Sequence, residues 1–140
     1  GRMVDIQQRY NKMLCDCYPF LKIEGSDSYE YIWLDFMPEG WRKAFGVKMC
    51  AEIEKLCLEQ SIYPVIFDIK EKYGSLRFYS TSGPVGLDKI VEKYERLSVH
   101  TCIDCGKPAE WLTMGWIEPI CEECRVKRGI NESKVIANEG

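Results

Sequence analysis

The sequence predicts an α+β fold: a small antiparallel sheet of about three strands packed on two helices, followed by a compact cysteine-punctuated unit. Three observations carry this expectation. Apolar residues at 29–37, 63–72 and 76–82 alternate with the two-residue period of strands. Segments 40–60 and 84–98 repeat theirs at helical spacing. Two Cys-x-x-Cys pairs, Cys102/Cys105 and Cys121/Cys124, follow with fifteen residues between them. With 140 residues, 46% of them hydrophobic, the chain can form one cored domain with a small appendage. The expected division is a core at 1–98, a metal-binding module packed on it at 99–128, and a flexible polar tail at 129–140.

Each element has a local reason. Val4, Ile6, Tyr10, Met13 and Leu14 fall near one helical stripe, and Pro19 ends that helix because it lacks an N–H. After the polar turn EGSDS, YEYIWLDFM places Ile32, Leu34 and Phe36 on one face of a strand, with Tyr31, Trp33 and Asp35 on the other. Pro38 then starts a long helix to about Gln60, whose apolar stripe holds Val47, Cys50, Ile53, Leu56 and Cys57. Cys50 and Cys57 read there as small buried hydrophobes. YPVIFDIKEK and SLRFYST make two strands about a Tyr-Gly-Ser turn, and Leu87, Ile90, Val91, Tyr94 and Leu97 line the next helix.

The paired cysteines have the spacing of a four-thiolate zinc site. Two intervening residues let a tight turn aim both thiolates at one ion, and Gly106 supplies the positive φ that such a knuckle needs. The second pair leads into EECRVKRG, the start of a short helix. A knuckle, a hairpin holding Trp111 and Trp116, and a helix bearing the last ligand would resemble a treble clef or zinc ribbon. Four protein ligands close the coordination shell, so the expectation is one structural Zn2+ per chain without an open position for a catalytic water. His100, the only histidine, lies beside Cys102 and reads as a solvent-facing or supporting residue. Cys15 and Cys17 have no further ligands nearby in the sequence and make a poor metal or redox site. Eight cysteines without a signal-peptide pattern point to metal binding in a reducing, cytoplasmic setting. No apolar run approaches membrane-span length.

The stretch KEKYGSLRFY gathers Lys70, Lys72 and Arg77 among Tyr73, Phe78 and Tyr79 in a chain of net charge −3. A turn centred on Tyr73-Gly74 pairs Lys70 with Arg77, whereas one centred on Gly74-Ser75 pairs Lys72 with Arg77. Both divide the faces alike: Phe67, Ile69, Glu71, Leu76 and Phe78 inward, and Asp68, Lys70, Lys72, Arg77 and Tyr79 outward. Like charges facing each other across a strand pair destabilise it. Either Asp68, Asp35 or helix glutamates offset them, or the face binds an anion, with Arg77 forking onto it and Tyr73 or Tyr79 stacking.

KEKYGSLRFY, followed by CIDCGKP, a Gly-Trp and a closing CEEC, resembles a family of small uncharacterised bacterial and phage proteins. That family carries a K-E-K-[F/Y]-G-x-L-R-F-Y signature ahead of a paired-cysteine ribbon. Gly40-Trp41 and Leu56-Cys57 look similar as well, so the likeness covers most of residues 38–125. The resemblance implies a phage or mobile-element setting, in which small proteins bind or block host machinery.

The sequence holds no G-x-S-x-G, Walker-type loop or H-E-x-x-H, and no acidic cluster beside the cations that would hold a catalytic metal. A non-enzymatic protein is therefore expected. The leading function is recognition of nucleic acid or a nucleotide by the hairpin face, supported by Arg125, Lys127 and Arg128 on the zinc helix. The acidic net charge argues for a short site rather than a long polyanion track. The alternative is a protein-interaction module, such as a phage inhibitor of a host defence or regulatory protein, anchored by aromatic residues.

Overall fold

The computed structural model describes residues 2–139. The chain runs through α1 (Arg2–Cys17), 3₁₀ turns at Pro19–Leu21 and Trp33–Phe36, α2 (Glu39–Trp41), a π-turn (Arg42–Gly46) and α3 (Val47–Gln60). A hairpin of β1 (Ile66–Lys72) and β2 (Ser75–Ser80) follows, then α4 (Leu87–Val99). The C-terminal part holds β3 (Trp111–Thr113), β4 (Pro119–Ile120), α5 (Glu122–Lys127), a 3₁₀ turn (Glu132–Lys134) and β5 (Val135–Ala137). The class is α+β, with two small antiparallel sheets, β1-β2 and β4-β3-β5.

The strand expected at 29–37 is corrected. Residues 33–36 coil into a 3₁₀ turn because the Asp35 carboxylate accepts the Ile32 N–H at 2.8 Å, a bond that closes the chain on itself. Asp35 also accepts from Arg42 Nη1 at 2.8 Å and from the buried Asn11 amide at 3.2 Å. Ile32 and Leu34 remain buried and Met37 joins them, while Phe36 turns outward. The first sheet therefore has two strands, not three.

Asn11 also decides how α1 sits. Its amide donates to the Tyr29 carbonyl at 2.8 Å, so the buried face of α1 is Asn11, Leu14 and Cys15. Ile6, Tyr10 and Met13 are left exposed, about a third of a turn from the expected stripe. The side chain of Val4, placed on that stripe from the sequence, lies outside the described residues.

Helices α2 and α3 act as one rod interrupted by the π-turn. Trp41, Phe45, Met49, Ile53 and Cys57 all point into the core. A strict four-residue repeat drifts about 40° per step around an α-helix, and a turn with i→i+5 bonding takes up part of that drift. Val47 is consequently exposed and Met49 buried in its place. The hairpin lays Ile66, Ile69, Leu76 and Phe78 on the same core, and α4 adds Leu87 and Tyr94. Burying one such Leu or Ile side chain contributes about 1.5–3 kcal/mol. On α4, Leu97 is exposed and Ser98 is buried instead, its hydroxyl accepting the Leu76 N–H at 2.9 Å.

The flexible tail expected from Gly129 onward is also corrected. Residues 135–137 pair with β3 in the register Trp111↔Ala137, Leu112↔Ile136, Thr113↔Val135, making β3 the central strand. The Asn138 amide then donates to the Val99 and Ala109 carbonyls at 2.8 and 3.0 Å. The strand is only Val135-Ile136-Ala137, too short an apolar run to stand out among polar neighbours, and its place is set by pairing with the distant β3 while Val135 is buried.

Candidate metal centre and hairpin surface

The four Cys-x-x-Cys thiols come together at the seam between the knuckle and α5. A Thr101↔Pro108 bridge closes the knuckle, with Cys102 N donating to Lys107 O at 2.7 Å and Gly106 N to Cys102 O at 3.0 Å. Gly106 has φ +85°, as that reversal requires. Ile103 N donates to Pro119 O at 3.0 Å, which fastens the knuckle to β4. Cys121 caps α5, its sulfur accepting the Cys124 N–H at 3.4 Å. The four sulfurs all lie within 4.8 Å of one another. Cys105 and Cys121 are 3.6 Å apart, against the roughly 3.8 Å that a tetrahedral site with 2.3 Å zinc–sulfur bonds demands. The cluster can therefore hold one metal ion, of which zinc is the plausible one.

Charge around the cluster suits that role. Burial raises the Cys102 thiol, but N–H groups of Cys105, Cys121 and Asp104 outweigh it and leave the thiol below its ordinary value. Burial drives Cys121 and Cys124 upward, the direction a bound cation reverses, because metal ligands bind deprotonated. Around the thiols, Trp111 Nε1 donates to Glu122 Oε1 at 2.9 Å. His100 is not among the clustered ligands. Cys15 is buried, which pushes its thiol up to about 11, while Cys17 is exposed; among the described residues neither joins a group of potential ligands.

The basic residues of α5 are already engaged, contrary to the reading of a cationic helix face. Arg125 is buried, with its guanidinium on both Glu122 oxygens at 2.7 and 2.9 Å and on the Ile130 carbonyl at 2.6 Å. Arg128 forks onto Asp104 at 2.7 and 2.5 Å and reaches Glu118 at 2.8 Å. Lys127 lies 3.9 Å from Glu123. Of these, the Arg128–Asp104 fork clamps the end of α5 to the knuckle.

The knuckle in turn docks on the main core through Gly40 and Trp41. Gly40 N donates to Ile103 O at 2.9 Å and Trp41 Nε1 to Thr101 O at 2.9 Å. A Cβ on Gly40 would stand 2.2 Å from the Cys102 carbonyl oxygen, so only glycine permits this approach. Ile103 packs into the main core itself. The sequence singled out Gly40-Trp41 as part of a pattern without showing what it touches.

The hairpin adopts the register with Tyr73 and Gly74 at its turn: Lys70 faces Arg77 and Lys72 faces Ser75. Both turn residues have positive φ, 54° and 80°, and the Glu71 carboxylate accepts the Gly74 N–H at 2.7 Å. One inward assignment is corrected. A bulge between Ile66 and Asp68 turns Phe67 outward, where it stacks on Tyr79 at 6.3 Å and 17°, and Ile66 takes the core position.

Of the three cations, Lys70 is paired with Asp68 at 3.4 Å and lies 5.9 Å from the Tyr79 ring centroid. Lys72 lies over the Tyr73 ring at 5.6 Å, and no acid pairs with it among the described residues. Arg77 has no ion pair among them either, and its Nε is buried without a hydrogen-bond partner. Glu95 on α4 feels the Arg77 charge; burial raises its carboxyl and Arg77 works against that rise. Asp35, the other acid considered for these cations, is committed to Arg42.

Among the described residues, no helix is long and apolar enough to cross a membrane. The chain matches no family model, no curated protein and no solved structure.

Proposed function

We propose that this is a non-enzymatic protein, built around a structural Zn2+ held by Cys102, Cys105, Cys121 and Cys124, that recognises an anionic ligand through the outer face of the hairpin. The ligand class is nucleic acid or a nucleotide. One observation carries the reading: Lys72 and Arg77 lie on the same face as Lys70 without acidic partners, and Lys70 directly faces Arg77. A bound phosphate would relieve that repulsion and give the Arg77 guanidinium the partner it lacks. In this reading the knuckle, the β3-β4 hairpin and α5 form a treble-clef-like unit whose metal fixes the base of the site. The likeness to bacterial and phage proteins supports a setting inside a bacterial or infected cell.

Arg77→Ala tests the binding claim. The variant should lose binding of a labelled oligonucleotide while its melting temperature stays near that of the wild type; an equal loss of stability would make Arg77 structural. Metal analysis of the purified protein should find about one zinc per chain. A folded, metal-free sample would overturn the zinc assignment.

A second reading, a protein-interaction module, is supported by the outward stripe Ile6, Tyr10 and Met13 on α1. Salt separates the two, since phosphate contacts weaken steeply as ionic strength rises and an apolar interface does not.

A further inference from the structure

The β1-β2 turn and the β3-β4 loop are far apart in sequence but touch in space. A Cβ on Gly74 would lie 3.1 Å from Ile117 Cγ2 and 3.2 Å from the Ile117 carbonyl oxygen. One residue away from that contact on each side stand Tyr73 and Trp116, with relative exposures of 73% and 76%. An aromatic ring this exposed serves no packing purpose in the fold. The loop carrying Trp116 is nevertheless held firmly: Thr113 Oγ1 donates to Trp116 O at 2.5 Å and accepts from Glu118 N at 2.8 Å.

Two lysines without acidic partners among the described residues, Lys72 and Lys134, belong to the segments around the rings. Glu71 is occupied by the Gly74 N–H, and Glu118 by Arg128. Lys72 stands against one face of the Tyr73 ring. On the far side, Met114 N donates to Lys134 O at 2.8 Å, so the C-terminal segment brings Lys134 to the edge of the same loop. No acid pairs with Lys134 among the described residues.

We infer that Tyr73 and Trp116 form a stacking platform for unpaired bases, flanked by Lys72 and Lys134, and that the ligand is single-stranded nucleic acid. This rests on the anion-binding reading of the hairpin and deepens it. Stacking needs an open base face, which a strand presents and a duplex conceals. Two rings on neighbouring tips, with cations to either side, match the combination by which single strands are held: bases on aromatic rings and phosphates on lysines.

The test is fluorescence anisotropy with labelled oligothymidylate, the same oligomer annealed to oligoadenylate, and labelled ATP. The single strand should bind at least about tenfold tighter than the duplex, and Trp116→Ala and Tyr73→Asn should each weaken it about tenfold. Asparagine tolerates the left-handed backbone at position 73, so that variant removes the ring without straining the turn. Trp116→Phe should retain most of the binding, and Lys134→Ala should lower the salt slope by about 0.7. Trp116 emission should be quenched when the strand binds. If Trp116→Ala and Tyr73→Asn bind like the wild type while Arg77→Ala does not, the platform is refuted and the anion site stands. Equal affinity for strand and duplex also refutes the platform. If none of the three probes binds, both readings fall.

Discussion

Replacing Gly40 by alanine should loosen the cysteine knuckle from the core. The new Cβ would stand 2.2 Å from Cys102 O and 2.6 Å from both the carbonyl carbon and oxygen of Ile103. These are backbone atoms of the knuckle and cannot swing aside like a side-chain tip. Overpacking of this kind costs about 1–3 kcal/mol. Moving the knuckle away also weakens the Gly40 N–H and Trp41 Nε1–H bonds, at about 1 kcal/mol each. Alanine returns about 1 kcal/mol through its better helix propensity. The net expectation is a loss of about 3 kcal/mol, read as a fall in melting temperature of about 12 °C for a chain of this size. Urea unfolding of Gly40→Ala, Trp41→Phe and the double variant supplies the assay. Because the clash already disrupts the Trp41 bond, the hydrogen-bond part of the Trp41→Phe loss, about 1 kcal/mol, should appear in the wild type and vanish in the Gly40→Ala background. The packing loss at this fully buried ring should appear in both. A Gly40→Ala protein as stable as the wild type, or about 1 kcal/mol more stable from propensity alone, would refute the docking argument.

Three further outcomes are expected. A strong chelator should lower the melting temperature of the wild type markedly, and Cys121→Ser should reproduce the apo behaviour; unchanged melting in both cases would count against a structural metal. Native protein should alkylate readily with iodoacetamide at Cys17 alone, because Cys17 is exposed whereas burial pushes Cys15 up to about 11 and Cys50 up to about 12; peptide mapping checks this, and early labelling of Cys50 would contradict it. Glu52 bonds Lys93 at 2.6 Å and also accepts from Tyr94, which holds its carboxyl below the usual range. A depressed carboxyl adds stability that is full above its unfolded value and fades as pH falls through the folded one. Glu52→Gln should therefore cost about 1 kcal/mol or less at neutral pH, and the gap to wild type should close in acid; a gap independent of pH would show that the charge is not involved.

Local chemistry was legible in the sequence. The two Cys-x-x-Cys spacings located all four clustered thiols, since ligand spacing within a knuckle is set by a few adjacent dihedrals. Alternation put Ile69, Leu76 and Phe78 inward, and Lys70, Lys72 and Arg77 on the opposite face. Helical periodicity located α3 and α4, although the π-turn shifted which residues of the first are buried. Errors arose wherever a distant partner decided the matter. Residues 29–37 alternate like a strand, yet a single Asp35 side chain turns them into a coil, and Asn11 rotates α1 through bonds to that same segment.

The sequence by itself determined the four thiols that cluster, the division of the hairpin into two faces and most of the apolar periods, because each is fixed by residues within one or two turns of chain. Only the tertiary structure decided which charges are free. Arg125 and Arg128 look as basic in the sequence as Lys72 and Arg77, but Asp104, Glu118 and Glu122 are folded against them. Tertiary structure likewise set Tyr73 beside the Trp116 loop and carried Lys134 there on the 3₁₀ turn that leads into β5. Ion pairing depends on separations of a few ångströms between residues remote in the chain, and local pattern carries no record of them.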